Sequence, residues 1–411
     1  MNNNIFFKVI FSIMILVIIL FSTSIVNAAN YLYKTDSNTT LTNASSISTD
    51  NPSPVFNFQS ESQILVEPTT GEILYANNEN EKLLPASVTK IMTLLLIMEK
   101  IDSGALKYTD TVTCSSNASH MGGSQIWFKE GETLTIDEAL KAICVVSAND
   151  VTVAMAELIG GTEANFVNMM NNKAKELGMV NTNFVNSHGI DEDGHYSTAK
   201  DIALMSMELI NKHPDILKYT SIWMDTLRNG TFELSSTNKL IRFYDGATGL
   251  KTGSTSQALF NLSATATRNG TTFLSVIMRA PSSDIRLEET KQLLDYAFTN
   301  YETREIAAKD VLVEEIKVNK NIENMAKVYL ENNVSILMKK GEQIETSENI
   351  IYNENITAPL NAGDIIGKIE IINSKTNELV GTSNLIIKED INKSSFNDYL
   401  LKMLNMSIMK I

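Results

Sequence analysis

Ser87-Val-Thr-Lys90 sets a hydroxyl and an amine one helical turn apart, at the head of the apolar run 91–98. At that spacing both side chains share a helical face, so a nucleophile and its base lie within mutual reach. The chemistry this allows is acyl transfer. Ser-x-x-Lys is a common string, and the chain repeats it at Ser197/Lys200, Ser236/Lys239 and Ser407/Lys410. Only the first copy opens a helix apolar enough to be buried. Removal from water lowers a lysine's pKa toward the range in which its amine accepts a proton near neutrality. The competing reading of Ser87 is a helix-start serine that caps its own backbone.

Two further strings bear on the choice. Ser147-Ala-Asn149 ends a predicted helix over 136–146 and precedes a second apolar segment from Val151, although Ser-x-Asn also occurs at positions 115, 236, 347 and 395. Lys251-Thr-Gly253 occurs once. It leads into the alternating stretch 259–267, followed by the turn signal Arg268-Asn-Gly270 and a return strand over 272–278. This pattern predicts that Lys251 starts an inner strand of a hairpin-built sheet. A strand edge beside a serine aligns an extended peptide through main-chain hydrogen bonds, while lysine and threonine hold an anionic group. The plain alternative for Lys251 is a solvated lysine at a strand end.

In this order and at these separations, Ser87-x-x-Lys90, Ser147-x-Asn149 and Lys251-Thr-Gly253 resemble the three active-site motifs of the penicillin-recognising serine transferases. The segments Leu84-Pro-Ala-Ser-Val-Thr-Lys90, Met121-Gly-Gly-Ser-Gln125, His188-Gly-Ile190, Gly194-His-Tyr-Ser-Thr-Ala199 with Asp201, and Thr248-Gly-Leu-Lys-Thr-Gly-Ser254 narrow the resemblance to the low-molecular-weight D-alanyl-D-alanine carboxypeptidases. It extends from about residue 57 to the C-terminus. It implies Ser87 as nucleophile, Lys90 as its proton acceptor, Ser147 as a proton relay toward the leaving amine, and Asn149 as a holder of substrate backbone. Lys251 would keep the site cationic and Thr252 would bind the terminal carboxylate. The same carry-over places the oxyanion hole at the amides of Ser87 and Ser254, with Gly253 in the substrate-binding strand and Arg286 near the carboxylate subsite. No cofactor and no metal are implied; β-lactams are implied as covalent inhibitors and peptidoglycan stem peptides as substrates.

That chemistry is coherent from the residues as well. A free α-carboxylate calls for cationic and hydroxyl donors, which Lys251 and Thr252 supply. Attack by Ser87 develops an oxyanion that fixed donors stabilise by about 3 kcal/mol each. His188, His195 and Asp201 invite a Ser-His-Asp reading instead, since triads follow no set chain order. Ser87 already has a lysine at helical spacing, however, and the histidines lie in a loop-like stretch, so a structural role is expected for them. Ser197 and Asp201 read as helix-start residues. No His-Glu-x-x-His pair supports zinc.

Lys8, the apolar stretch 9–21 and Val26-Asn-Ala28 resemble a secretory signal peptide over 1–28, with an uncleaved anchor as the alternative. A Ser/Thr/Asn-rich spacer over 29–56 has little to bury. The expected fold class is α+β: a β-lactamase/transpeptidase-like catalytic domain over 57–303, with an antiparallel sheet around a helical middle. A β-rich C-terminal domain over 304–390 follows, read from its short β-branched runs as a small β-sandwich. Residues 391–411 read as an amphipathic tail for a membrane surface, or as a helix docked on the β-domain. With 411 residues and 43% of them hydrophobic, the chain can build two cores. Its net charge of -14 argues against nucleic acid as a partner. Cys114 and Cys144 are expected to be free thiols. A β-lactamase or DD-endopeptidase of the same superfamily, or a non-catalytic cell-wall-binding protein, are the alternative functions. The first needs a dedicated carboxylate for deacylation, and this chain has no Glu-x-x-x-Asn string placed as expected between Asn149 and Lys251, although Glu163-Ala-Asn165 lies nearby.

Overall fold

The computed structural model describes residues 42–43, 55–322 and 325–408, all within the unit Thr40–Ile411. The signal-peptide and most of the spacer expectations fall outside these residues. In chain order the elements are β1 (Thr42–Asn43), β2 (Ser62–Glu67), β3 (Glu72–Asn77), α1 (Lys90–Asp102), β4 (Thr111–Thr113), β5 (Thr133–Thr135), α2 (Ile136–Val145), α3 (Asn149–Gly160), α4 (Glu163–Glu176) and α5 (Ala199–Lys212). Then come β6 (Met224–Leu227), β7 (Phe232–Ser235), β8 (Ala247–Thr255), β9 (Leu259–Arg268), β10 (Thr271–Ala280) and α6 (Ser283–Asn300). The C-terminal part holds β11 (Tyr301–Ala307), β12 (Leu312–Lys317), β13 (Met325–Leu330), β14 (Val334–Lys339), β15 (Thr346–Tyr352), β16 (Ile365–Asn373), β17 (Leu379–Ile387) and α7 (Phe396–Ile408).

The main sheet has the order β1-β3-β2-β10-β9-β8 and so takes strands from both ends of the unit. Hydrophobic residues cover both of its faces. Along β10, Leu274, Val276 and Met278 face the core formed with α1 and α5, whereas Phe273 and Ile277 face the core formed with Leu293, Leu294 and Ala297 of α6. Period-two alternation therefore serves two cores at once, which is why β2 reads as an unbroken buried run. Asn269-Gly270 makes the two-residue turn between β9 and β10. The strand carrying Lys251 differs from expectation: β8 is the outermost strand, and Lys251 sits at its middle. Its unpaired edge is thereby left to face the nucleophile.

Helix α1 is buried from Lys90 through Met98, since its apolar residues leave no polar face and it must run through the interior. Helix α2 is started by a capping box: the Thr135 hydroxyl accepts from the Glu138 amide at 3.2 Å, and the Glu138 carboxylate accepts from the Thr135 amide at 3.0 Å. The cap of α5 is Thr198, one residue later than Ser197, whose hydroxyl pairs with Thr182. In the C-terminal part, a five-stranded sheet β12-β13-β17-β16-β15 and the pair β11-β14 enclose a third core around Val328, Ile336, Ile371 and Leu385. No helix among the described residues is long and apolar enough to cross a membrane.

Candidate active site

Chain entry into α1 is a single tight turn, Ala86–Thr89, after Pro85. Ala86 adopts φ 48°, a left-handed conformation that costs a residue with a Cβ about 1–2 kcal/mol. The next residue is Ser87. Lys90 opens α1 with none of its side chain exposed. Its Nζ lies 3.0 Å from Ser87 Oγ, 2.7 Å from Asn149 Oδ1 and 2.7 Å from the His188 carbonyl oxygen. A neutral amine has two N–H groups and one lone pair. The asparagine oxygen and the carbonyl can only accept, so they take the two N–H groups and the lone pair remains for the serine proton. Burial, reinforced by the charge of Lys251, holds Lys90 well below the usual lysine range against the opposing pull of Asp150. The electrostatics favour the uncharged form, and the geometry accommodates it.

The His188 carbonyl reaches Lys90 because Gly189 is pressed onto the nucleophile turn. A Cβ on Gly189 would stand 1.9 Å from the Ala86 carbonyl oxygen, and its φ of +88° also favours glycine. A loop some hundred residues downstream thus closes over the base.

Ser147 follows α2 at φ 63°, also left-handed, and is 4% exposed. Among the described residues its Oγ has no hydrogen-bond partner. Asn149 begins α3; its amide donates to the Ser124 carbonyl at 2.7 Å, and its Nδ2 donates to the Gly122 carbonyl at 2.7 Å. Asp150 then accepts from the amides of Ile126 (3.1 Å) and Phe128 (2.9 Å). The 122–128 segment is therefore wrapped around the start of α3.

Strand β8 forms the other wall. Gly253 packs on the nucleophile turn so closely that a Cβ there would stand 2.7 Å from the Pro85 carbonyl oxygen and 3.0 Å from the Ser87 amide nitrogen. Lys251 is 1% exposed and donates to the Thr252 carbonyl at 3.1 Å. Burial brings its pKa down to about 8, with Cys144 opposing and Arg286 reinforcing the shift. Thr252 pairs its hydroxyl with that of Thr237 at 2.7 Å, and Ser254 is exposed at the strand edge. Arg286, on α6, donates to the Asn261 carbonyl at 3.2 Å and to Ser283 Oγ at 3.3 Å; burial lowers it to about 10, which leaves it charged at neutrality. Ser87, Lys90, Asn149 and Gly253 are thus joined by direct contacts, and Lys251 acts on Lys90 through its charge.

Both loop histidines are structural. His195 accepts from the Val185 amide at Nδ1 (3.0 Å), so its Nε2 carries the proton donated to Thr89 Oγ1 at 2.8 Å; burial holds its pKa down at about 4. His188 accepts from the Ile190 amide at Nδ1, and burial with the nearby Lys90 brings it to about 3. Asp201 is occupied by the Asn181 amide and the Thr182 hydroxyl. Cys114 and Cys144 are free and buried. Two supporting residues lie outside the three motifs. Asp150 follows Ser147-x-Asn149 directly in the chain, whereas Asn261 lies in an apolar strand. The Asn261 Nδ2 donates to the Leu84 carbonyl at 2.8 Å, tying β9 to the nucleophile turn.

A serine and a buried lysine beside a strand edge, with an asparagine bonded to that lysine, match the arrangement expected of the penicillin-recognising serine transferases. Residues 46–282 match the family model of D-alanyl-D-alanine carboxypeptidase, peptidase family S11, and residues 301–393 match the C-terminal domain of penicillin-binding protein 5. The D-alanyl-D-alanine carboxypeptidase DacF of Bacillus subtilis (strain 168) is 42% identical over 346 residues, covering 83% of this chain and 88% of that one. The D-alanyl-D-alanine carboxypeptidase DacA of Haemophilus influenzae is 31% identical, covering 81% and 86%. Among solved structures, penicillin-binding protein 5 from Haemophilus influenzae superposes with a TM-score of 0.67 at 30% identity, covering 83% of this chain and all of that one. Penicillin-binding protein D2 from Listeria monocytogenes in the ampicillin-bound form gives 0.55 at 31% identity, covering 60% and 99%. The chain belongs to the S11 family of serine-type D-alanyl-D-alanine carboxypeptidases, the low-molecular-weight penicillin-binding proteins.

Proposed function

We propose that Ser87 removes the terminal D-alanine from peptidoglycan stem pentapeptides through an acyl-enzyme. The observation that carries this reading is the placement of the buried Lys90 Nζ 3.0 Å from Ser87 Oγ, with Asn149 Oδ1 and the His188 carbonyl there to take two N–H groups once the amine is neutral. In acylation, the Ser87 oxygen bonds to the penultimate carbonyl carbon as its proton passes to Lys90. The amides of Ser87 and Ser254 receive the oxyanion. The amide bond to the last residue then breaks, with a proton delivered to the leaving amine through Ser147, and D-alanine departs. Water hydrolyses the ester in the second half-reaction. Asn149 holds the substrate backbone, Thr252 binds the terminal carboxylate, and Lys251 and Arg286 supply positive charge beside it. A β-lactam presents the same acyl group and would stop at the ester.

Export over residues 1–28, a spacer over 29–56, a catalytic domain over 57–303, a supporting β-domain over 304–390 and a membrane-surface tail over 391–411 would place this cleft on the outer face of the cell membrane. The tail reading is supported by the exposure of Phe396, Leu400 and Leu401 on α7. Mass analysis of a pentapeptide digest tests the reaction: wild type releases one D-alanine, and Ser87→Ala releases none. D-alanine release by Ser87→Ala sinks the assignment of the nucleophile.

A further inference from the structure

Thr237 belongs to none of the three motifs, yet it is tied to two parts of the cleft. Its amide donates at 3.1 Å to the carbonyl of Val145, the residue that ends α2 just ahead of Ser147. Its hydroxyl pairs at 2.7 Å with that of Thr252 on β8. The backbone on either side is pinned as well: the Ser236 amide donates to the Trp223 carbonyl at 2.8 Å, and the Leu240 amide donates to Asn238 Oδ1 at 3.1 Å. Thr237 is nevertheless exposed, whereas Thr252 is 7% exposed. A fixed backbone beneath an open side chain keeps this hydroxyl at Thr252 and within reach of a bound molecule.

The two hydroxyls have one proton to spare. Each can donate one proton and accept through its lone pairs, so the bond between them uses one of the two protons they hold. Among the described residues neither hydroxyl has another partner, which leaves one O–H free to point elsewhere. A carboxylate only accepts, and an O–H donated to it makes a charge-assisted hydrogen bond.

We propose that Thr237 is a positioning residue for the terminal carboxylate: its hydroxyl bonds to that of Thr252 and aims the remaining proton of the pair at the substrate. This rests on the acyl-transfer reading above, which puts the carboxylate at Thr252. The test measures adduct formation with benzylpenicillin, which carries a free carboxylate, and with its methyl ester, which does not. In Thr237→Val, which keeps the side chain's shape and removes its hydroxyl, acylation by the acid slows roughly tenfold, the scale of a lost hydrogen bond to a charged group, while acylation by the ester changes by about twofold at most. Thr237→Ser restores the wild-type rate. In a Thr252→Val background the same Thr237→Val change slows acylation by the acid by about twofold at most, because the hydroxyl it would align is gone. An unchanged rate with the acid overturns the inference, as does equal slowing on acid and ester or a full tenfold loss in the Thr252→Val background. If the wild type forms no adduct with penicillin and releases no D-alanine from a pentapeptide, the acyl-transfer reading fails first and takes this one with it.

Discussion

The cleft and the C-terminal strands handle charge in opposite ways. Around the cleft, Lys90, Asp150, Lys251 and Arg286 are all at most 7% exposed. Among the described residues beyond 304, the one buried polar side chain is Ser383. Withdrawing an ionisable group from water costs several kcal/mol unless partners compensate, so a fold selected for stability alone avoids it. The C-terminal strands follow that rule: β13 alternates exposed and buried residues, with Ala326, Val328 and Leu330 inside. The cleft breaks the rule where chemistry needs it. Desolvation there pushes the Lys90 pKa well down, and proximity to Lys251 deepens the effect. What the contrast teaches is that burial does the same physical work in both regions but serves stability in one and proton affinity in the other.

Removing the amine breaks the contrast most sharply. Lys90→Ala lowers the rate of Ser87 acylation by penicillin about a thousandfold, within the usual range for loss of a general base, as measured by adduct formation in mass spectrometry. An unchanged rate would mean that the buried lysine is structural, like the buried groups elsewhere.

Titration sharpens it. The proposed mechanism requires Lys90 free of its proton and Lys251 carrying one. kcat/KM therefore rises with pH as Lys90 deprotonates on the acid side, and falls above about pH 8 as Lys251 loses its charge. Beyond that point the decline approaches tenfold per pH unit. Lys251→Arg keeps the charge and moves the alkaline limb upward; a limb that stays in place assigns it to another group.

The smallest effect on chemistry is expected at the far end of the chain. Deleting residues 394–411 leaves kcat/KM on a soluble peptide within twofold of wild type, and shifts the protein from the membrane to the soluble fraction in cell fractionation. Full retention in the membrane after signal cleavage removes the tail as the anchor.

The parts of this site carried by local periodicity could be read from the sequence. Three-residue spacing paired Ser87 with Lys90, and Asn-Gly after an alternating run marked the β9–β10 hairpin. Contacts between distant segments could not be read that way. The His188 carbonyl reaches Lys90 across 98 positions, and Asn261 reaches the Leu84 carbonyl across 177. No local pattern encodes which backbone oxygen a buried amine will meet. The placement of Lys251 at the start of an inner strand failed for a related reason: β8 is an edge whose outer side is covered by the nucleophile turn, so it is as buried as a central strand. β15 is not legible in the sequence, because Thr346-Ser-Glu-Asn-Ile-Ile-Tyr352 shows no apolar alternation. It is a strand because its backbone pairs with β16.

Ala86 carries a consequence for how this catalyst can change over evolutionary time. Glycine at that position would relax the backbone without loss of packing volume beyond one methyl group, and selection for heat tolerance alone would tend toward it. The same substitution would free the turn to sample other shapes, and the hydroxyl that follows would spend less of its time aligned with the amine. Robustness and turnover therefore pull this single methyl group in opposite directions.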